Sequence, residues 1–307
     1  MGRSRDWCRT GRQPLPSGRP EGLHYTLLAA ALIIVAASWR TSGAGTPQRI
    51  VSIIPAVTEM IFAMGDGGRI VGVSSYDRFP PEASRLPRVG ALLDPNVERI
   101  LSLKPDLVVI YNTQVELKQR LERAGIAAYS YEHRGLADIT STIRAIGTRI
   151  GSSARADRLA GEIERSIASI RASVAARPRP RTLLVFEREG GSLRNIYATG
   201  GTGFLHDMLQ AAGGDDVFSD IKQQSVQATS ELMLARRPEV IIELRYGDSV
   251  KTADIPREMA AWNALASLPA VRNRRVHVLI GDEFVVPGPR VVDAVRRLAQ
   301  TLHPDAR

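Results

Sequence analysis

Cysteine is almost missing from this chain: Cys8 is the only one in 307 residues. It lies ahead of the apolar run Leu27–Ala37, where it serves neither as half of a structural disulfide nor as a lipid-bearing first residue behind that run. Redox chemistry and thiolate metal sites are therefore excluded for everything downstream. Aromatic residues are also scarce, at 5%, and two of the three tryptophans, Trp7 and Trp39, fall in or beside the same N-terminal stretch. Beyond that stretch the histidines are His133, His206, His277 and His303, no two of them closely spaced. A bare-metal site needs three or four converging ligands, so this spacing argues against one.

Lysine and arginine form no block. Of the net charge of +9, nearly half comes from Arg3, Arg5, Arg9, Arg12, Arg19 and Arg40 set against Asp6 and Glu21. With no basic stripe or base-stacking motif, nucleic acid is not an expected partner. Long apolar runs are missing too: Leu27–Ala37 falls short of the about 20 residues that cross a bilayer. Basic residues precede it and Ser42-Gly43-Ala44 follow, which is the order of a secretory signal. The expectation is a signal peptide over 1–45 and a mature chain beginning near Gly45, in the periplasm and without a lipid anchor.

What is present is an α/β alternation. Arg49–Ile54 reads as a strand ending at Pro55, Thr58 as the cap of a helix through Met64, and Gly65 as its left-handed stop. Strands are expected at 70–74, 107–111 and 126–131, with helices at 96–103, before Gly125, and over 138–150. Such alternation implies largely parallel sheets covered on both faces. From Ser153 to Arg177 the pattern changes: Leu159, Ile163, Ile167, Ile170 and Val174 make one helical stripe, with Ser152 or Ser153 as cap and Pro178 and Pro180 as stop. A second round of alternation follows from Thr182. The expected organisation is an N-terminal lobe over 46–152, a connecting helix over 153–178 and a C-terminal lobe over 179–307. A helix that long is a stiff connector and a poor hinge.

The two lobes share a pattern. Glu98 is followed by Leu101, Pro105, Asp106 and an apolar strand; Glu231 is followed by Leu234, Pro238, Glu239 and an apolar strand. Related lobes with Glu98 and Glu231 in equivalent surface places explain it. So does a simpler role for each carboxylate at the positive end of its own helix, worth about 0.3–1 kcal/mol.

At this point a resemblance enters. Arg49-Ile-Val-Ser-Ile-Ile-Pro-Ala-Val-Thr-Glu59, Val71–Tyr76, Pro80-Pro81, Asn96-Val-Glu98 and Lys104–Val109 resemble the first lobe of periplasmic cobalamin- and ferric-siderophore-binding proteins. Gly203–Leu209, Ser230-Glu231 and Pro287–Arg290 resemble the second. The resemblance implies two lobes bridged by one helix, with ligand in a cleft at the C-terminal ends of the strands. It implies that Glu98 and Glu231 dock onto arginines of an inner-membrane ABC permease. A monomer with no cofactor, whose ligand is a chelated metal (corrinoid, ferric siderophore or haem), is the expectation.

For the ligand, the resemblance implies aromatic faces in the cleft. Tyr76 and Phe186 match, and Tyr111 stands where a tryptophan is expected. The sequence departs from the pattern at Leu92 and Ser225, which replace aromatic clamps, and Trp262, with Leu265 and Leu268 nearby, reads as lobe core. Arg188, Arg245, Tyr246, Asp282 and Phe284 follow strands and are expected at the cleft. The rival from another class is a hydrolytic or phosphate-handling enzyme. Gly200-Gly-Thr-Gly203 opens a helix, yet it lacks the lysine of a P-loop and the spacing of a dinucleotide fingerprint, and no nucleophile elbow is present.

Overall fold

Short β-branched runs become the interior of two sheets. In the computed structural model, which describes residues 45–247 and 252–305, β1 (Ile50–Ser52), β2 (Ile70–Val73), β3 (Leu107–Tyr111) and β4 (Ala127–Tyr131) form a parallel sheet in the order β2-β1-β3-β4. β3 is buried without a break from Leu107 to Ile110, as a central parallel strand covered on both faces must be. The helices α1 (Pro55–Ala63), α2 (Val97–Ser102), α3 (Val115–Arg123) and α4 (Ala137–Arg149) alternate with these strands.

One expected cap is corrected. α1 begins at Pro55, so Thr58 lies inside the helix and its hydroxyl donates to the Ile54 carbonyl at 3.3 Å. Proline suits that first position because its missing N–H has no intrahelical partner to lose. Gly65 does follow the C-cap in the left-handed region, at φ +80°.

α5 (Ser153–Val174) runs for 22 residues, about 33 Å. It stops short of Arg177, and Ser152 at its start makes no capping bond. Ile163, Ile167 and Val174 are buried, with Leu159 and Ile170 packed beside them. They belong to one continuous core that also holds Ile143 and Ile146 of α4, and the helix is therefore packed along its length rather than strung between lobes.

The second sheet contains β5 (Arg181–Glu187), β6 (Tyr197–Thr199), β7 (Asp215–Asp216), β8 (Ser225–Gln227), β9 (Val240–Arg245) and β10 (Val276–Ile280), in the order β10-β9-β5-β6-β8 with β7 also on β5. Strands β10, β9, β5 and β7 are parallel, but β6 and β8 are antiparallel. The connection over 188–196 is too short for a parallel crossover, which needs a dozen or more residues. The helices here are α6 (Phe204–Ala211), α7 (Ser230–Arg236), α8 (Ile255–Ala261), α9 (Pro269–Arg272) and α10 (Val291–Leu302). A separate apolar cluster fills the other face of this sheet and contains Trp262 with Leu265 and Leu268.

The expected signal segment, with Trp7, Cys8 and Trp39, lies outside the described residues. Among the described residues no helix is long and apolar enough to cross a membrane.

Candidate functional site

Parallel strands deliver their C-terminal ends to one side of a sheet, and the loops that follow carry the expected ligand residues. On the first lobe, Tyr76 stands 68% exposed beyond β2. Its loop is fixed from below. Asp77, 1% exposed, accepts from the Ser74 backbone N–H at 2.8 Å, and Arg88 donates to the Ser74 carbonyl at 2.8 Å. Burial raises the Asp77 carboxyl to a pKa of about 7, offset in part by Thr58 and by that backbone bond. Tyr111 ends β3, half-buried, edge-on to Tyr131 at 6.0 Å between ring centroids. Burial and then the Asp77 charge push its phenol pKa up. Leu92, where the resemblance implied an aromatic clamp, is exposed on the same lobe.

On the second lobe, Phe186, Arg245 and Tyr246 line a cavity of about 400 Å³ together with Glu187, Asp254 and Arg257. Arg188 borders the same cavity from beneath, whereas Phe284 is corrected to core. Arg188 is fully buried in its side chain, bridging Glu243 at 2.9 Å and Glu258 at 2.7 Å. It also donates to the carbonyls of Ser192 and Glu258, and its guanidinium lies 5.9 Å from the Trp262 ring. The cause is Glu243, a carboxylate in the middle of β9 that is 1% exposed and must be paired. The register Val185↔Glu243 brings that carboxylate beside the strand end from which Arg188 emerges. Phe284 is likewise 0% exposed, under the Arg297 guanidinium at 4.7 Å, and is core.

Arg245 is half-buried and spends its charge on the same cluster, reaching Glu243 and, at 3.1 Å, Glu258. Asp282 accepts from the Gly247 backbone N–H at 2.8 Å, which makes it a tie for the loop carrying Tyr246. The sequence reading missed Arg257. Its side chain is 72% exposed on the rim, 3.7 Å from Glu258 and 4.0 Å from Asp254. α8 is too short to show an apolar period, and only the cavity identifies its arginine. Gly200–Gly203 is a packing turn: a Cβ at Gly201 would sit 2.1 Å from the Ser219 carbonyl oxygen. Ser225 is exposed on β8.

The two lobes touch across the cleft. A Cβ at Gly247 would lie 3.7 Å from Nη2 of Arg78, so the first-lobe Arg78 reaches the second lobe at the mouth. Glu59 of α1 takes Arg290 at 2.9 Å, and Arg290 stacks on Phe79 at 4.4 Å. Leu136 donates to Asp207 at 2.9 Å, and His133 meets Phe204 edge-on at 5.3 Å.

Glu98 and Glu231 are both exposed in the first turn of a short helix, α2 and α7. Neither has an ion-pair partner among the described residues. Glu231 is held below the usual carboxylate range by its own backbone N–H and then by the Thr229 hydroxyl.

Two α/β lobes bridged by one packed helix, with strand ends and loops converging on a cleft, define the class of two-lobe binding proteins. The chain belongs to the periplasmic binding protein family, whose profile matches residues 50–282. It is 28% identical over 264 residues to an uncharacterized ABC transporter substrate-binding lipoprotein, YvrC, of Bacillus subtilis, covering 84% of this chain and 81% of that one. The crystal structure of the periplasmic vitamin B12-binding protein of Vibrio cholerae superposes with a TM-score of 0.70 at 26% identity, covering 84% of this chain and 98% of that one. The periplasmic haem-binding protein RhuT of Roseiflexus does so with a TM-score of 0.69 at 27% identity, covering 85% and 99%.

Proposed function

We propose that this protein captures a bulky chelated-metal compound in the cleft and hands it to the permease of an ABC importer, with a cobalamin-like corrinoid favoured over a ferric siderophore or haem. One observation carries the preference. Exposed Tyr76 and half-buried Tyr111 offer flat apolar surface on one lobe, while the two inner arginines of the pocket on the other are already neutralised. Arg188 and Arg245 are matched there by Glu243 and Glu258, and Arg257 stays exposed at the rim. A ring edged with neutral amides suits such a pocket better than a polyanionic chelate, which needs unspent cations. At about 400 Å³ the pocket takes the periphery of such a ligand, and the macrocycle lies in the open cleft between the lobes. The vitamin B12-binding neighbour supports the same choice. Exposed Arg257 and the haem-binding neighbour favour the second reading, a carboxylate-bearing macrocycle.

Tyr76, Tyr111, Phe186, Arg245 and Tyr246 are the proposed ligand contacts, with Asp282 holding their loop. Glu98 and Glu231 are the proposed docking points for permease arginines. A carboxylate on each lobe gives a two-point, charge-assisted contact that fixes orientation more than affinity. The protein acts by binding and release rather than by catalysis, as a monomer in the periplasm, exported and without a lipid anchor.

Titration with cyanocobalamin, haem, ferric hydroxamates and free divalent metals tests the ligand. Cyanocobalamin should bind most tightly, and tight binding of a free ion alone would overturn the assignment. The intact mass of protein purified from its own host tests export. An unmodified chain beginning near Gly45 is expected, and a lipid mass or a retained Leu27–Ala37 run would refute it.

A further inference from the structure

The repeated pattern around Glu98 and Glu231 is a repeated object in three dimensions. In each lobe a residue caps the short helix with its side chain: Asn96 accepts from the Arg99 N–H at 2.9 Å, and Thr229 from the Leu232 N–H at 3.3 Å. Each helix buries one residue at the same place, Ile100 or Met233. Each is followed by a left-handed residue, Lys104 at φ 48° or Arg237 at φ 50°, and then by proline. Next comes the acid, whose backbone N–H donates to the carbonyl of an arginine on the neighbouring strand end: Asp106 to Arg49 at 2.9 Å, Glu239 to Arg181 at 2.8 Å.

Those two arginines return the contact from equivalent positions. Arg49 donates through Nη2 to the Leu103 carbonyl at 2.6 Å, and Arg181 through Nη2 to the Arg236 carbonyl at 2.7 Å. Leu103 and Arg236 each stand two residues before the proline, so the two bonds are the same bond made twice. A guanidinium on the last carbonyls of a helix satisfies orphan acceptors and complements the helix dipole. Both short helices are thereby tied at both ends, by a side-chain cap in front and an arginine behind.

On this clamped frame the leucine three residues after the glutamate is left outside. Leu101 is 38% exposed and Leu234 is 41% exposed. Residues at i and i+3 share a helix face, so each leucine stands beside its glutamate. A single exposed leucine needs no explanation. The same leucine, exposed to the same degree and beside the same unpaired carboxylate on both clamped tips, does.

We propose that each tip is a two-part plug in which Leu101 or Leu234 enters an apolar recess of a permease subunit next to the arginine that takes Glu98 or Glu231. Arg49 and Arg181 are positioning residues for the plug. The proposal rests on the docking role given to the two glutamates, which supplies the partner's charge. It adds the apolar part of the footprint, which resists salt where the ion pairs are screened.

The test measures binding of the full-length exported protein to right-side-out inner-membrane vesicles of its own host, by sedimentation at two salt concentrations. Leu101→Ser and Leu234→Ser should each weaken binding about tenfold, and the pair about a hundredfold if the tips act independently. The loss should persist at high salt, whereas the loss in Glu98→Gln/Glu231→Gln should shrink. Met259→Ser, at a residue 37% exposed on α8 beside Arg274 and Val276 at the start of β10, should bind as wild type. If the leucine pair binds as wild type while the glutamine pair does not, the proposal fails and the docking reading stands. If both pairs bind as wild type, both fail. If Met259→Ser weakens binding as much as the others, the effect is not a footprint and the proposal fails. Leu101→Gln/Leu234→Gln keeps helix propensity and supplies the same comparison should the serine pair melt lower.

Discussion

Arg188→Leu separates a structural cation from a ligand-binding one. The guanidinium is buried between two carboxylates, Glu243 and Glu258, that are themselves 1% and 4% exposed. After its removal Arg245 is the remaining arginine beside Glu243, which keeps only that partner and the Trp262 indole N–H at 3.1 Å. Two buried carboxylates then share Arg245, with exposed Arg257 alone to supplement Glu258, and breaking a buried pair in this way costs about 3–5 kcal/mol. At about 2–4 °C per kcal/mol for a domain of this size, the melting temperature should fall by about 10 °C. Differential scanning calorimetry reads that loss, and titration of the chelate that binds wild type should give an affinity within about threefold. Adding Glu243→Gln to Arg188→Leu removes the surplus charge and should recover about half of the lost stability. Arg188→Lys should not substitute, since one ammonium cannot span both carboxylates. An unchanged melting temperature with a tenfold loss of affinity would refute the reasoning and return Arg188 to the cleft.

Charge reversal at the tips, Glu98→Arg with Glu231→Arg, should abolish uptake while leaving ligand affinity and melting temperature unchanged, because exposed substitutions shift stability by less than about 0.5 kcal/mol. Normal uptake by the double variant would end the docking reading. Asp77 has a folded pKa of about 7 against an ordinary 3.8, so the folded state holds its proton more tightly. Its contribution to stability is therefore fullest below about pH 4 and is lost as pH rises through about 7. Asp77→Asn should flatten the decline in melting temperature between pH 5 and pH 8, and parallel curves for the two proteins would contradict it. Because α5 is packed along its length and the lobes already meet through Glu59 and Arg290, ligand should close the cleft only slightly. Solution scattering should show little change in radius of gyration on binding, and a large contraction would refute the stiff-helix argument.

Local pattern was enough for much of this protein. The period of Leu159, Ile163, Ile167, Ile170 and Val174 determined a long helix, because helical geometry alone puts those positions on one face. The apolar runs at 107–111 and 240–242 pointed to buried strands, because they are too short for a helix of their own, rich in β-branched residues and preceded by proline turns. The repeat of glutamate, leucine, proline and acid determined that the two tips are alike, since every contact in that module lies within one helix–turn–strand unit and its neighbouring strand. Tertiary structure alone decided which charges are available. Arg188 follows β5 and Arg257 lies in the short helix α8, and no local feature ranks them. The pairing of β5 with β9 carries Glu243 beside Arg188 and buries it, while Arg257 is left at the rim because its nearest carboxylates lie at 3.7 and 4.0 Å. The same holds at the cleft mouth, where Arg78 and Gly247, remote in the chain, meet only once two sheets are packed about one helix. Side-chain direction within an element follows from backbone geometry, but which buried charge must be matched, and by whom, is set by register between strands far apart in sequence.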